Sequence, residues 1–463
     1  MKLALPKGQL QDSTAALLKE AGFAASDYRE DSRSYRPRCE AAPELLIKVF
    51  HEKDIAIQVA VGNYDLGICR LDWVEELLAR YRSDAVVRVR DLRYGRRTLF
   101  AVAAAGGSGP GSLDALRSHE DGVRIVSEYP NLAETFALKQ RLRRFQIFPV
   151  WGAAGVYLPE DAELAIMTET SSASLREQGL VAVAALMDSS AWLVANRNSM
   201  GREDVSRLQV ALSVVRPKQG DVHEPVPVGA VAGVKGPTTG TGAVSLALPD
   251  GHQQRHAVAF LKRAGFDVEG YDPARVDFRP RLAIDGVAAK VIRPQDMPQQ
   301  VANGNFDLAI TGRDWLRDHL IRFPSSPVEE LLDLGFGRVR IVAVVVKDMP
   351  VSCTGDLKKL HRETPMRVAS EYVNIADKYA RDNRLTPYRL IPTWGATEAF
   401  LPEDADVLIE NTETGSTIAR HGLKIIETLF ESTACLIGNP SAIAAPHKRK
   451  GASHLIEAMR RAV

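Results

Sequence analysis

The stretch NTETGSTIARHGL, Asn411 to Leu423, sets hydroxyl side chains around one glycine just before a helix-like run. Thr412, Thr414, Ser416 and Thr417 are donors, and Gly415 is the residue type that lets a backbone take positive φ and close on an anion. A helix opening near Ser416 adds unpaired N–H groups and its positive dipole end. Such a loop suits a phosphate. Two acids, Glu410 and Glu413, flank it and repel the same anion. A sugar gives them a purpose, because carboxylates accept hydrogen bonds from vicinal ribose hydroxyls while the loop holds the phosphate on that sugar. The parts together describe a 5-phosphoribosyl site. A helix N-cap followed by helix-start acids produces the same letters in many α/β proteins, so on this loop alone both readings stand.

Other residues offer related chemistry. Lys7 in LPKG follows a strand-like run, where its ammonium meets a phosphate or diphosphate, or where Lys-Gly is simply a turn. Thr311 and Gly312 in TGRDW form either a second ligand loop or a surface turn. Arg36 and Arg38 in SYRPRCE, and Arg279 and Arg281 in DFRPRLA, are paired arginines on extended Pro-containing segments. Their guanidinium forks suit phosphate, although solvated edge arginines look the same. Trp151 and Trp394 read as core rather than as substrate platforms.

These residues sit on a unit written twice. LALPKGQL at Leu3 is answered by LALPDGHQ at Leu246, GNYDLGICRLDW by GNFDLAITGRDW, RIVSEYPNLA by RVASEYVNIA, and FPVWGAAGVYLPEDAEL by IPTWGATEAFLPEDADV. The offset is 242 residues between Trp73 and Trp315 and 243 between Trp151 and Trp394, which means whole-domain duplication. Copy one is read as 1–215 and copy two as 244–463, joined by a Pro-, Gly- and Thr-rich linker at 216–243. Within each copy, β-branched runs such as LLIKVF, DLGIC, RIVSE and LAIMT alternate with helical patterns such as DSTAALLKEAGF and DWVEELLARY. That alternation predicts an α/β fold with mainly parallel strands and a ligand site outside their carboxyl ends, where LPKG, TGRDW and NTETGST all fall.

Composition narrows the partners. A chain of 463 residues with formal charge +1 and interspersed acids and bases has no electrostatic footprint for nucleic acid or an anionic membrane. Its four cysteines, Cys39, Cys69, Cys353 and Cys435, lack metal-site spacing and read as buried reduced thiols. The opening MKLALPKGQL lacks a signal-peptide layout and no run reaches membrane-spanning length, so the expected location is the cytoplasm.

Taken in order, LPKG, RPQDMPQQVANGNFDLAITGRDW, LLDLGFGRVRIVAVV, RVASEYVNIADKY, WGATE and TETGSTIARHGLKIIETLFESTACLIGN resemble the ATP phosphoribosyltransferase family of histidine biosynthesis, over nearly all of copy two and more faintly over copy one. The resemblance implies two α/β lobes per copy like type II periplasmic binding proteins, with an active site between the lobes. On that pattern lobe I is about 1–97 and 181–215 in copy one and 244–340 and 424–463 in copy two; lobe II is about 98–180 and 341–423. The implied reaction joins N1 of ATP to the anomeric carbon of phosphoribosyl pyrophosphate and releases pyrophosphate. Magnesium is expected to arrive on the diphosphate, with no protein metal ligands. Carried over, Glu410 to Thr417 would hold the ribose and 5-phosphate, while Arg293, Arg279 or Arg281, and Glu398 would line the cleft for pyrophosphate and nucleotide.

Two departures bear on this. Asp250 replaces Lys7's type in copy two, an anion where a polyphosphate approaches. Copy one keeps the lysine but has Ser172 for Gly415, Thr170 for Glu413, Met167 for Glu410, Arg70 for Gly312, His51 for Arg293 and Gly155 for Glu398. Chemistry is therefore expected in copy two, with copy one a degenerate partner in a pseudo-dimer, within a possible higher homo-oligomer, that lends at most a basic residue such as Lys7. The alternatives are a different heteroaromatic, purine-like acceptor, or a non-catalytic ligand-binding paralogue.

Overall fold

A computed structural model of the chain describes residues 1–29, 32, 34–81, 84–106, 113–119, 121–214, 243–272, 275–360 and 364–463. The linker read at 216–243 lies outside the described residues except for Ala243. Two compact units make up the fold. Unit one comprises Met1–Pro149, Tyr157–Gly236 and Trp394–Ala399; unit two comprises Val150–Val156, Pro237–Thr393 and Phe400–Val463.

Each repeat builds the same pair of five-stranded sheets. In unit one the first sheet runs Leu46–Phe50, Lys2–Pro6, Leu66–Arg70, Ala191–Asn196, Val86–Asp91, and the second Leu180–Ser189, Arg97–Ala104, Leu164–Glu169, Val123–Ser127, Phe145–Pro149. In unit two the corresponding orders are Val287–Ile292, Val244–Pro249, Leu308–Gly312, Ala434–Gly438, Glu329–Asp333 and Leu423–Ser432, Val339–Val346, Val407–Thr412, Met366–Ser370, Tyr388–Pro392. Apolar runs such as LALP and VRIVAVVV are buried on both faces because helices cover the sheets, and each lobe has its own core. Burial of each large apolar side chain is worth about 1.5–3 kcal/mol.

The strands are mainly parallel, as expected, but each five-stranded sheet also carries one strand that runs against its two neighbours. Leu308–Gly312 is parallel to Val244–Pro249 but antiparallel to Ala434–Gly438, and Val339–Val346 is antiparallel to both of its neighbours. The reason is topological: the chain leaves lobe I once and returns once, and the strand that follows each crossing inserts antiparallel. Lobe boundaries shift for the same reason. Leu180–Ser189 and Leu423–Ser432 are ten-residue strands of the second sheets, so lobe II ends near Ser189 and Ser432, later than the sequence pattern placed it.

The two crossings of each unit lie side by side. In unit two the N–H groups of Leu334 and Ala434 donate to the carbonyls of Ala434 and Phe336 at 2.9 Å each, and the Thr433 hydroxyl donates to Asp333 at 2.7 Å. In unit one Leu92 and Ala191 donate to Ala191 and Tyr94 at 2.8 and 2.9 Å, and the Ser190 hydroxyl donates to Asp91 at 2.6 Å. Cys39, Cys69 and Cys435 are buried free thiols as expected, whereas Cys353 is exposed ahead of the short helix Thr354–Leu357. Trp151 and Trp394 are half-buried loop residues rather than core.

Candidate active site

In unit two the strand Val407–Thr412 ends at the glycine loop, and Gly415 has φ 80° and ψ 1°, the left-handed geometry its residue type permits. The turn is tightened by the Gly415 N–H, which donates to the Thr412 hydroxyl at 2.9 Å, and by the Thr414 hydroxyl, which donates to that of Ser416 at 3.0 Å. Glu413, Thr414, Ser416 and Thr417 face solvent, and Glu410 sits half-buried at the strand end. The helix that follows, Ser416–Arg420, has only five residues, so its dipole is weaker than the sequence suggested and the exposed hydroxyls dominate.

A cation that sequence reading missed completes the loop. Arg340 pairs with Thr412 across the antiparallel strands, and its guanidinium Nη2 lies 3.8 Å from where a Gly415 Cβ would stand. Among the described residues Arg340 makes no ion pair, so its charge faces the loop. Copy one has Thr98 there, which donates to Asp188 at 2.7 Å. If the loop holds a phosphate, Arg340→Met removes a charge-assisted hydrogen bond worth about 1.5–3 kcal/mol. Ribose 5-phosphate binding, followed by calorimetry, should then weaken about tenfold or more.

Opposite the loop stand the carboxyl ends of the first sheet. Asp250 follows Val244–Pro249 and Arg293 follows Val287–Ile292; Arg293 Nη1 and Asp250 Oδ2 form an ion pair at 2.9 Å. Burial raises the Asp250 pKa above the usual carboxylate value, against the pull of Arg293. His252, two residues on, has Nδ1 3.8 Å from Glu413 Oε1 and so joins the Asp250 turn to the glycine loop. Arg279, on the strand Arg275–Leu282, donates from Nη2 to the Val156 carbonyl at 3.1 Å, while Arg281 is exposed opposite Glu269 in the hairpin.

Other candidates play different parts. Thr311 is fully buried and its hydroxyl donates to the Pro294 carbonyl at 2.9 Å, so it supports the Arg293 turn instead of facing a ligand. Gly312 is needed because a Cβ there would run into the Asp314 carboxylate and come within 3.2 Å of Gln253 Nε2; it is a packing glycine. Glu398 falls in unit one, not with the copy-two residues it was expected to join. Lys7 also lies in unit one, exposed, with Nζ 3.3 Å from the Tyr35 hydroxyl and 5.1 Å from its ring centroid. A cavity of about 480 Å³ lined by Arg317, Leu320, Tyr379, Glu427 and Phe430 involves none of the candidate residues.

Copy one's corresponding ground is filled by its own side chains. Arg70 Nε lies 3.2 Å from Glu52 and 4.0 Å from Asp72, and Lys53 Nζ lies 3.8 Å from Glu128. Ser172, Gly415's counterpart, is the first residue of the helix Ser172–Glu177, and Ser171 before it is extended at φ −159°, its hydroxyl accepting the Ser174 N–H at 3.2 Å. Glu169 accepts hydrogen bonds from Ser174 and Gln178, both at 2.8 Å. Neither the positive φ nor the exposed hydroxyl set of the Gly415 loop is present.

The chain belongs to the ATP phosphoribosyltransferase family: the family's model, described as HisG: ATP phosphoribosyltransferase, matches residues 51–214 and again 293–461. The two matches fall one in each repeat. Relatives include the ATP phosphoribosyltransferase of Chlorobium phaeovibrioides, 34% identical over 212 residues, a match spanning 45% of this chain and 67% of the relative. ATP phosphoribosyltransferase 1 of Geobacter sulfurreducens is 32% identical over 216 residues, spanning 45% of this chain and 69% of that one. Among solved structures, a chain of the ATP phosphoribosyl transferase (HisG:HisZ) complex from Thermotoga maritima is 20% identical, with TM-score 0.39, covering 47% of this chain and 98% of that chain.

Proposed function

We propose that unit two is a phosphoribosyltransferase that joins the ribose 5-phosphate of phosphoribosyl pyrophosphate to N1 of ATP and releases pyrophosphate, the histidine-biosynthesis reaction of its family. The observation that carries this reading is the Gly415 loop, left-handed at its glycine, edged with hydroxyls and backed by Arg340, present in one repeat and lost from the other. In this reaction the bond from the anomeric carbon to the diphosphate oxygen breaks and its electron pair leaves with pyrophosphate. The adenine N1 lone pair forms the new C–N bond.

Such chemistry needs positioning and charge stabilisation more than a nucleophilic side chain. The loop from Thr412 to Thr417 and Arg340 hold the 5-phosphate, and Glu410 and Glu413 accept hydrogen bonds from the ribose hydroxyls. Arg293 and Arg279 take the charge that develops on the departing diphosphate. Among the described residues no three His, Cys, Asp or Glu side chains cluster so as to hold a metal ion. Magnesium, in this proposal, comes with the diphosphate as part of the substrate. Copy one serves as the fused, degenerate partner. No described helix is long and apolar enough to cross a membrane. A cytoplasmic location is part of the proposal and follows from the biosynthetic reaction proposed.

The Asp250–Arg293 ion pair favours a second reading, a ligand-binding paralogue or a transferase with a less anionic purine-like acceptor, since Arg293 already has an anion. Incubating the protein with magnesium, phosphoribosyl pyrophosphate and ATP, and following adduct and pyrophosphate by mass spectrometry, separates the two. Equal release of both products is expected. Donor binding without adduct would move the conclusion to the second reading.

A further inference from the structure

We propose that Val150–Val156, a segment of the first repeat's sequence, is a working part of the unit-two site that positions Arg293 and Arg279 for the diphosphate; this rests on the phosphoribosyl reading above. The segment belongs to unit two. Its Trp151 N–H donates to both carboxylate oxygens of Asp296, at 2.9 and 3.1 Å. Asp296 is 5% exposed, and its own N–H donates to the Arg293 carbonyl at 3.0 Å. The loop therefore clips the turn that carries Arg293. Gly152 lies against the guanidinium itself, since a Cβ there would be 3.0 Å from Arg293 Nε, 3.6 Å from Nη2 and 3.7 Å from Cγ. Val156 grips the second arginine by accepting the Arg279 hydrogen bond at 3.1 Å.

The shape of this segment is held with some strain. Ala153 has φ 54°, as does its counterpart Ala396, a left-handed conformation that brings the Cβ of a non-glycine residue close to the following carbonyl oxygen. The counterpart segment Trp394–Ala399 belongs to unit one, where Arg36, Arg279's equivalent, donates to the Ala399 carbonyl at 3.4 Å. In that unit the grip has no ligand to serve, because Arg70, Glu52 and Asp72 fill the ground. Only the unit-two direction has a target, which gives the first repeat a reason to keep WGAAG after losing its phosphate loop.

The test uses the full chain and two probes, phosphoribosyl pyrophosphate with magnesium and ribose 5-phosphate, titrated by calorimetry. Gly152→Leu should raise the dissociation constant for phosphoribosyl pyrophosphate tenfold or more and leave that for ribose 5-phosphate unchanged, because only the first carries a diphosphate. Gly152→Ala, which asks Arg293 to shift by a few tenths of an ångström, should give a smaller loss in the same direction and carries the test if the leucine variant does not fold. Unchanged affinity in both variants, or equal loss of both probes, overturns the positioning role while wild-type binding leaves the proposed function standing. A wild type that binds neither probe removes the proposed function, and this role with it.

Discussion

Gly415→Val should abolish binding of phosphoribosyl pyrophosphate, by a factor of one hundred or more, with the thermal unfolding midpoint little changed. At φ 80° a β-branched residue is strained by about 1–3 kcal/mol. Space beside the loop is not the obstacle: an added Cβ meets Ile425 Cδ1 at 3.7 Å and Arg340 Nη2 at 3.8 Å, ordinary contacts. The loss instead comes from the backbone. To relieve strain the turn must open, which breaks the Gly415 N–H bond to Thr412 and disperses the hydroxyls of Thr414, Ser416 and Thr417, while valine methyls screen Arg340. Loop strain is local and surface-exposed, so the cores survive. Calorimetry with ribose 5-phosphate provides the check, and wild-type affinity in this variant would remove the loop from the site.

Asp250→Lys should strengthen binding of phosphoribosyl pyrophosphate about ten- to a hundredfold and raise any transfer to ATP. Two opposite charges near contact interact by about 4 kcal/mol at an intermediate effective dielectric. Arg293 is 45% exposed, so screening removes much of that, and the lost ion pair itself costs little stability. Asp250→Asn should fall between wild type and the lysine variant. Lower activity in Asp250→Lys would show that the carboxylate has a role of its own, such as selecting a less anionic acceptor.

A pH dependence follows from the same pair. Burial raises the folded-state pKa of Asp250, so the folded protein takes up this proton more readily than the unfolded chain. Its contribution to stability is therefore fully present below the unfolded carboxyl pKa and is lost as pH rises through the raised folded value. Binding follows the same sign: as pH falls toward that value Asp250 becomes neutral, Arg293 is released, and diphosphate affinity should rise in the wild type relative to Asp250→Asn, whose comparison cancels protonation of the ligand. Parallel pH profiles for the two proteins would show that Asp250 does not control Arg293.

Much of this was legible in the sequence, and the reasons differ by residue. The constant offset between repeats announced the duplication, and Gly415 announced its turn because positive φ leaves few residue types to choose from. Arg340 was illegible because what brings it to the loop is antiparallel register with Thr412, a relation between distant strands that no local spacing encodes. Thr311 and Gly312 looked like ligand contacts because a strand-end Thr-Gly carries no sign of burial; packing against Pro294 and Asp314 decides it. The charge of Asp250 was readable, but its pairing with Arg293 was not, since two parallel strand ends meet only in the folded sheet. WGAAG and WGATE were read within their own repeats, and only the fold shows each grouped with the other unit.

The twin crossings of each unit act as the spine of a book. Because Leu334, Phe336, Thr433 and Ala434 tie the outgoing and returning chains together, sliding of one lobe along the other or rotation about a single strand would break these bonds. What remains is opening and shutting about one axis, as covers turn on a binding. On the proposed function, the page edge opposite the spine is the side from which substrates reach the strand ends.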